Sequence, residues 1–222
     1  MVFRALLVSL FLLAHGAGAL AAELIKSFRV DVEISRNGEV RTSEAIAIVA
    51  EGDKFKHGLY RDISLKPAFA NEPASHFEIE SVTRNGVPEP YTVEDVDGDK
   101  RIYAGAQDVA LAPGVHDYVI TYRTDNRVRT AGANALYATH LTGSWPFRIE
   151  NVEARITLPE GTTPLATQQH AGTNSSPSAA IDVKTKGRVT TYAVGRPLEP
   201  GEWFAIKLLL PAGIIASPAP AQ

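Results

Sequence analysis

The chain has 222 residues, with 22 basic and 25 acidic side chains, a formal charge of −3, six histidines and no cysteine. That composition excludes disulfides, thiol nucleophiles and cysteine-based metal sites. The basic residues are scattered among acidic ones instead of forming the concentrated positive face that nucleic-acid binding requires.

The first element is a leader. Arg4 precedes an apolar run from Ala5 to Ala14, and small residues follow to Ala22. The run is too short for a bilayer span of about 20 residues. Ala19-Leu20-Ala21 fits the small-residue cleavage pattern of a secretory signal, so residues 1–21 are predicted to be removed and the protein to be exported, periplasmic or extracellular. No later stretch reaches membrane-spanning length, since Phe204 to Ile215 is interrupted by Lys207 and Pro211.

Strict apolar alternation then begins, with Phe28, Val30, Val32 and Ile34, followed by Val40, Thr42, Ile46 and Ile48. These read as half-buried strands joined at Asn37-Gly38. A two-residue loop would set the apolar side of one strand against the polar side of the other. A three-residue loop, Arg36-Asn37-Gly38 with Gly38 left-handed, pairs Ile34 with Val40, Val32 with Thr42, Val30 with Glu44 and Phe28 with Ile46. That register puts Glu44 on the inward face. A buried carboxylate must either protonate or meet a cation, and Arg61 in His57-Gly58-Leu59-Tyr60-Arg61-Asp62 is the nearest in sequence after this strand whose fork suits it.

Thr83-Arg84-Asn85-Gly86 repeats Ser35-Arg36-Asn37-Gly38 and is read as shared turn chemistry. Glu94-Asp95-Val96-Asp97-Gly98-Asp99 is the densest acidic cluster. Asp95, Asp97 and Asp99 offer oxygens for calcium, but EF-hand spacing is absent and the flanking alternation favours an Asp-Gly hairpin. Strands follow at Tyr118 to Tyr122 and Val152 to Leu158; Ala166 to Ala180 reads as a polar connection of low order. The whole predicts an all-β fold. The expectation is an antiparallel, immunoglobulin-like β-sandwich of roughly eight to ten strands. It forms one domain over residues 22–212, with a flexible Ala/Pro tail over 213–222.

The order of these pieces resembles the N-terminal extracytoplasmic domain of the YciQ-like predicted bacterial membrane proteins, a family defined as a domain of unknown function. The matching parts are Phe28 to Ile34, Gly38-Glu39-Val40 leading to Glu44, His57 to Arg61, and Pro113-Gly114 before Tyr118 to Tyr122. Gly143 with Trp145, Ile156 to Pro159 and Pro197 to Gly201 complete the match. Members carry a tryptophan-asparagine pair where Ala138-Thr139 stands here, and they continue into membrane helices where this chain stops at Gln222. The resemblance implies an exported β-sandwich, free-standing or truncated, and brings no activity with it.

Two roles compete for the HGLYR motif. His57, Tyr60 and Arg61 could hold an anion, or Arg61 could neutralise Glu44; the second is preferred, because structural ion pairs also bury charge. The histidines show no metal-ligand spacing, no nucleophile elbow is present, and no cofactor motif is found. Trp145 and Trp203 are candidates for a sugar platform, although single tryptophans on such strands more often fill a core. The expected function is a non-catalytic binding or scaffolding module at the cell envelope, with an envelope or membrane-embedded protein as partner. The alternative is an envelope hydrolase acting on polysaccharide or peptidoglycan, with Glu44 as a catalytic carboxylate.

Overall fold

A computed structural model describes residues 23–65 and 75–215; the predicted leader lies outside the described residues. Fifteen strands follow one another among them. The first eight are β1 (Leu24–Ile34), β2 (Val40–Ala50), β3 (Gly58–Ser64), β4 (Phe77–Arg84), β5 (Val87–Pro88), β6 (Tyr91–Val96), β7 (Asp99–Gly105) and β8 (Gly114–Thr124). The rest are β9 (Val128–Ala131), β10 (Asn134–His140), β11 (Val152–Thr157), β12 (Ala166–Gly172), β13 (Ile181–Lys186), β14 (Val189–Val194) and β15 (Trp203–Leu210).

One large sheet runs β13-β14-β11-β1-β2-β8-β4-β5. Opposite it lie two smaller sheets, β12-β15-β10-β9 and β3-β7-β6, with no strand pair joining them. The fold is therefore an all-β sandwich whose second layer is divided, unlike the two continuous sheets of an immunoglobulin domain. One pairing departs from the antiparallel expectation, since β1 runs parallel to β11, with Phe28 opposite Val152 and Val32 opposite Ile156. The alternation that identifies a half-buried strand does not encode the direction of a partner more than a hundred residues away. The strand total exceeds the expected eight to ten because edge strands such as β5 and β9 are too short to show an apolar period.

The first hairpin has the three-residue loop. Ser35 N–H donates to the Glu39 carbonyl at 2.9 Å, Gly38 has φ +87°, and Ile34, Val32, Val30 and Phe28 face Val40, Thr42, Glu44 and Ile46. Arg84-Asn85-Gly86-Val87 instead closes in two residues, with Asn85 and Gly86 both at positive φ, so the same tripeptide serves two turn types. Asp97-Gly98 also forms a two-residue turn, between β6 and β7.

The inward side chains of β1, β2, β8 and β11 meet Phe204, Ile206, Leu208 and Leu210 of β15 and Leu59 and Ile63 of β3 in one continuous core. Two expectations need correction. Ala166 to Gly172 is an ordered strand, paired along its length with β15, held by that backbone pairing although Ala171 and Gly172 are its only buried residues. The packed domain also continues past residue 212, since Ile214 is 6% exposed and belongs to the core.

Two devices fix the path into β3. Gly58 and Gly105 lie opposite each other at φ +144° and +145°, and a Cβ on either would come within 2.0 Å of the facing strand's carbonyl oxygen. The glycine of the HGLYR motif thus permits a backbone approach that no other residue allows. Just before it, the Glu23 carboxylate accepts the backbone N–H groups of Glu51 (2.9 Å), Asp53 (3.1 Å) and Lys54 (2.6 Å), and also that of Phe55. Burial pushes the Glu23 carboxyl up, but these donors together hold it below its ordinary 4.5. A carboxyl lowered on folding contributes stability that is complete above pH 4.5 and is lost as pH falls through its folded value. The stability gap between wild type and Glu23→Gln, read by denaturant titration, is expected to be constant from pH 6 to 8 and to shrink steadily below about pH 4.5.

Candidate functional site

Glu44 sits on the inward face of β2, fully buried, and Arg61 on the inward face of β3 is 3% exposed. Arg61 Nε donates to Glu44 Oε2 at 2.5 Å and Nη2 donates to Glu44 Oε1 at 2.8 Å, the paired fork geometry that makes arginine–carboxylate contacts strong. The guanidinium makes two further bonds. Nη2 also reaches the Leu141 carbonyl at 2.9 Å, and Nη1 reaches the Asp62 carbonyl at 2.8 Å. Tyr122 on β8 donates its hydroxyl to Glu44 Oε1 at 2.9 Å. Burial works against the Arg61 charge, yet the Glu44 carboxylate outweighs it and holds the guanidinium above its ordinary value. Burial, reinforced by the same carboxylate, pushes the Tyr122 phenol far up, so that it stays a donor.

The guanidinium is also packed on two sides. Its carbon lies 5.4 Å from the Phe28 ring centroid, and Phe28 meets Trp145 edge-on at 6.0 Å. Gly143, at φ +67°, comes so close that a Cβ there would lie 2.7 Å from Arg61 Nη1. The loop carrying it is held by Leu141 N–H on the Phe204 carbonyl (2.8 Å), Phe204 N–H on Thr142 Oγ1 (2.9 Å) and Trp145 Nε1 on the Thr142 carbonyl (2.8 Å).

Beside this network opens a groove of about 570 Å³, in the range of ligand sites. β3 forms one wall, with Arg61 to Leu65, and Thr42, Tyr122 and Thr124 of the large sheet contribute to its lining. Residues of β9, β10, β12 and β15 line the rest. It lies where the divided second layer leaves its two sheets unjoined. A second hollow of about 600 Å³ continues from it past Tyr60, Arg101 and Trp145.

The strand registers assemble a cluster here that residue spacing did not reveal. Ala205 on β15 is flanked by His140 of β10 and His170 of β12, and Trp203 lies two residues earlier on the same face. The indole is held between the two imidazoles, with centroids 4.6 and 4.8 Å away. In the next row Lys207 lies between Ala138 and Gln168. Desolvation keeps the His140 imidazole below its ordinary value, while His170 Nε2 donates to the Thr173 carbonyl at 2.9 Å. Trp145 is buried in the core, whereas Trp203 lines the groove.

The other candidates fall elsewhere. His57 Nδ1 contacts the Val109 carbonyl at 3.1 Å and does not line the groove. Tyr60 is 57% exposed, stacks on Tyr103 and lines only the second hollow. His57, Tyr60 and Arg61 therefore do not converge, because successive strand residues point to opposite faces and His57 lies outside the strand. Asp95 pairs with Lys100 at 2.6 Å and Asp99 accepts from Ser64 at 2.9 Å, on either side of the Asp97-Gly98 turn. Among the described residues no three acidic or histidine side chains gather to hold a metal ion.

These features define an all-β sandwich domain pinned by one buried ion pair beside an open groove. The chain belongs to the family described as the N-terminal domain of predicted membrane proteins (DUF2207), whose model matches residues 24–210. The uncharacterized protein YciQ of Escherichia coli (strain K12) is 30% identical to it over 185 residues, covering 81% of this chain and 27% of that protein. The chain thus spans about a quarter of its relative's length. Among solved structures, native leukotriene A4 hydrolase from Saccharomyces cerevisiae superposes with a TM-score of 0.56 at 10% identity, over 84% of this chain and 29% of that one. A putative protease from Parabacteroides distasonis gives 0.50 at 9% identity, over 83% and 40%. Likeness at that identity concerns the fold alone.

Removing one partner of a buried pair strands the other charge. Arg61→Met is expected to cost about 3–5 kcal/mol and to lower Tm by roughly 6–20 °C. Combining it with Glu44→Leu should restore at least half of the loss, as measured by thermal and urea unfolding.

Proposed function

We propose that the protein is an exported, non-catalytic binding module at the cell envelope, and that its ligand or partner occupies the groove beside Arg61. The observation that carries this reading is the state of the charges. Glu44, the acid on which a hydrolase reading depends, is sealed beneath Arg61 and Tyr122 and does not line the groove. Asp62, the carboxylate among the groove's lining residues, is already held by Arg101 through two 2.7 Å bonds, whose donors keep it below the ordinary aspartate range. A glycosidase needs two carboxyl groups facing one bond, one of them raised toward neutrality. The lining instead combines aromatic, amide and cationic side chains, which suits recognition. Membership in a family of predicted membrane proteins supports a position at the envelope.

The absence of cysteine gives a direct test. Ala138→Cys introduces a single thiol in the groove, and Thr191→Cys a single thiol on the exposed face of β14. In intact envelopes the groove thiol is expected to react with a maleimide about tenfold more slowly than in the purified protein, as expected for a site mostly occupied by a ligand. The control thiol should react equally in both. Equal rates for both positions would refute occupancy of the groove.

A further inference from the structure

We infer that the Trp203 platform recognises an acidic glycan, a sugar ring carrying a carboxylate or a phosphate. This rests on the groove being the binding site and names its ligand class. Three observations converge on it. The first is the indole itself, partly buried, held between His140 and His170 on the open face of β15, and therefore fixed in orientation before any ligand arrives. The part of this immobilised indole that lines the groove offers the apolar face of a pyranose a surface at little entropic cost.

The second is what stands one row along. Lys207 is four residues beyond Trp203 on the same face, about 13 Å along the strand, with Gln168 opposite it. A glycan with one ring on Trp203 and its chain running along β15 brings the acidic substituent of its next ring toward the ammonium, and the Gln168 amide supplies both a donor and an acceptor for neighbouring hydroxyls. The third is charge balance. Arg127 also lines the groove, and neither it nor Lys207 is ion-paired among the described residues, whereas the nearby acids Glu44 and Asp62 are both committed to arginines. The groove thus carries surplus positive charge in a chain that is acidic overall. A neutral sugar would leave that charge unused.

The test uses the purified protein and trimeric ligands of matched length: trigalacturonate, a phosphorylated maltotriose and plain maltotriose. Indole fluorescence and titration calorimetry report binding. The acidic trimers are expected to bind at least tenfold more tightly than maltotriose, a difference of about 1.4 kcal/mol, and to weaken as salt is raised. The ranking of the two acidic ligands decides whether carboxylate or phosphate is preferred. Lys207→Gln should erase the acidic preference, and Trp203→Ala should abolish binding of all three. If Trp203→Ala does not retain the wild-type Tm, Lys207→Gln and Arg127→Gln decide. Equal or tighter binding of maltotriose, no heat or fluorescence change up to about 10 mM ligand, or acidic-trimer binding unaltered in Lys207→Gln would each overturn the inference. Protection of the Ala138→Cys thiol does not depend on the nature of the ligand. A protected groove with no affinity for acidic sugars would thus reject the glycan and leave the binding module intact.

Discussion

Three sheets meet at one guanidinium. Arg61 leaves β3, binds the Glu44 carboxylate of β2, and reaches the Leu141 carbonyl just past β10, so the large sheet and both halves of the second layer are tied through one side chain. Burying the two charges is costly, and the pair is tolerable because all three guanidinium nitrogens and both carboxylate oxygens are hydrogen-bonded. Surrounding residues are selected around it. Phe28 packs beneath the guanidinium, Tyr122 completes the carboxylate's hydrogen bonds, and Gly143 leaves the space that any side chain would occupy. The close contact at Gly143, and the Trp145 bond to the loop that carries it, account for these two residues standing among those that mark the family resemblance.

The same junction explains why a groove exists. A continuous second layer would cover the large sheet completely. Here β3 and the β9–β10 side of the neighbouring sheet are separate, and the gap is bridged at one end by the Arg61 network and left open beyond it. With Arg61 neutralised, the chemistry offered to solvent comes from side chains on the open faces of β10, β12 and β15.

Much of the fold was legible in the sequence, and for stated reasons. Alternation gave β1, β2, β8 and β11, the centre of the large sheet, and incompatibility of the apolar faces selected the three-residue hairpin loop. That register in turn exposed Glu44 as an inward carboxylate and pointed to Arg61. The limits have physical causes too. Arg-Asn-Gly occurs in two turns of different length, because the flanking faces and not the tripeptide decide the register. Gln168 and His170 looked like loop residues, since the outer face of a strand is polar, and their stretch lacked enough apolar residues to show its inner one. His140 and Trp203 join them only through pairings across more than thirty residues, for which local spacing carries no signal.

The parallel alignment of the first strand with β11 bears on how such a chain matures. β1 finds β2 within a few residues, but its other edge is matched only by residues 124 positions downstream, as with Arg29 and Glu153. Contacts of such separation close slowly, since the loop entropy must be overcome before the pairing returns anything. Until then the opening hairpin presents a full ladder of N–H and C=O groups to any passing strand. In a chain made from its N-terminus, that interval is when misassembly competes with folding, and its length is set by how fast the following hundred or so residues are delivered.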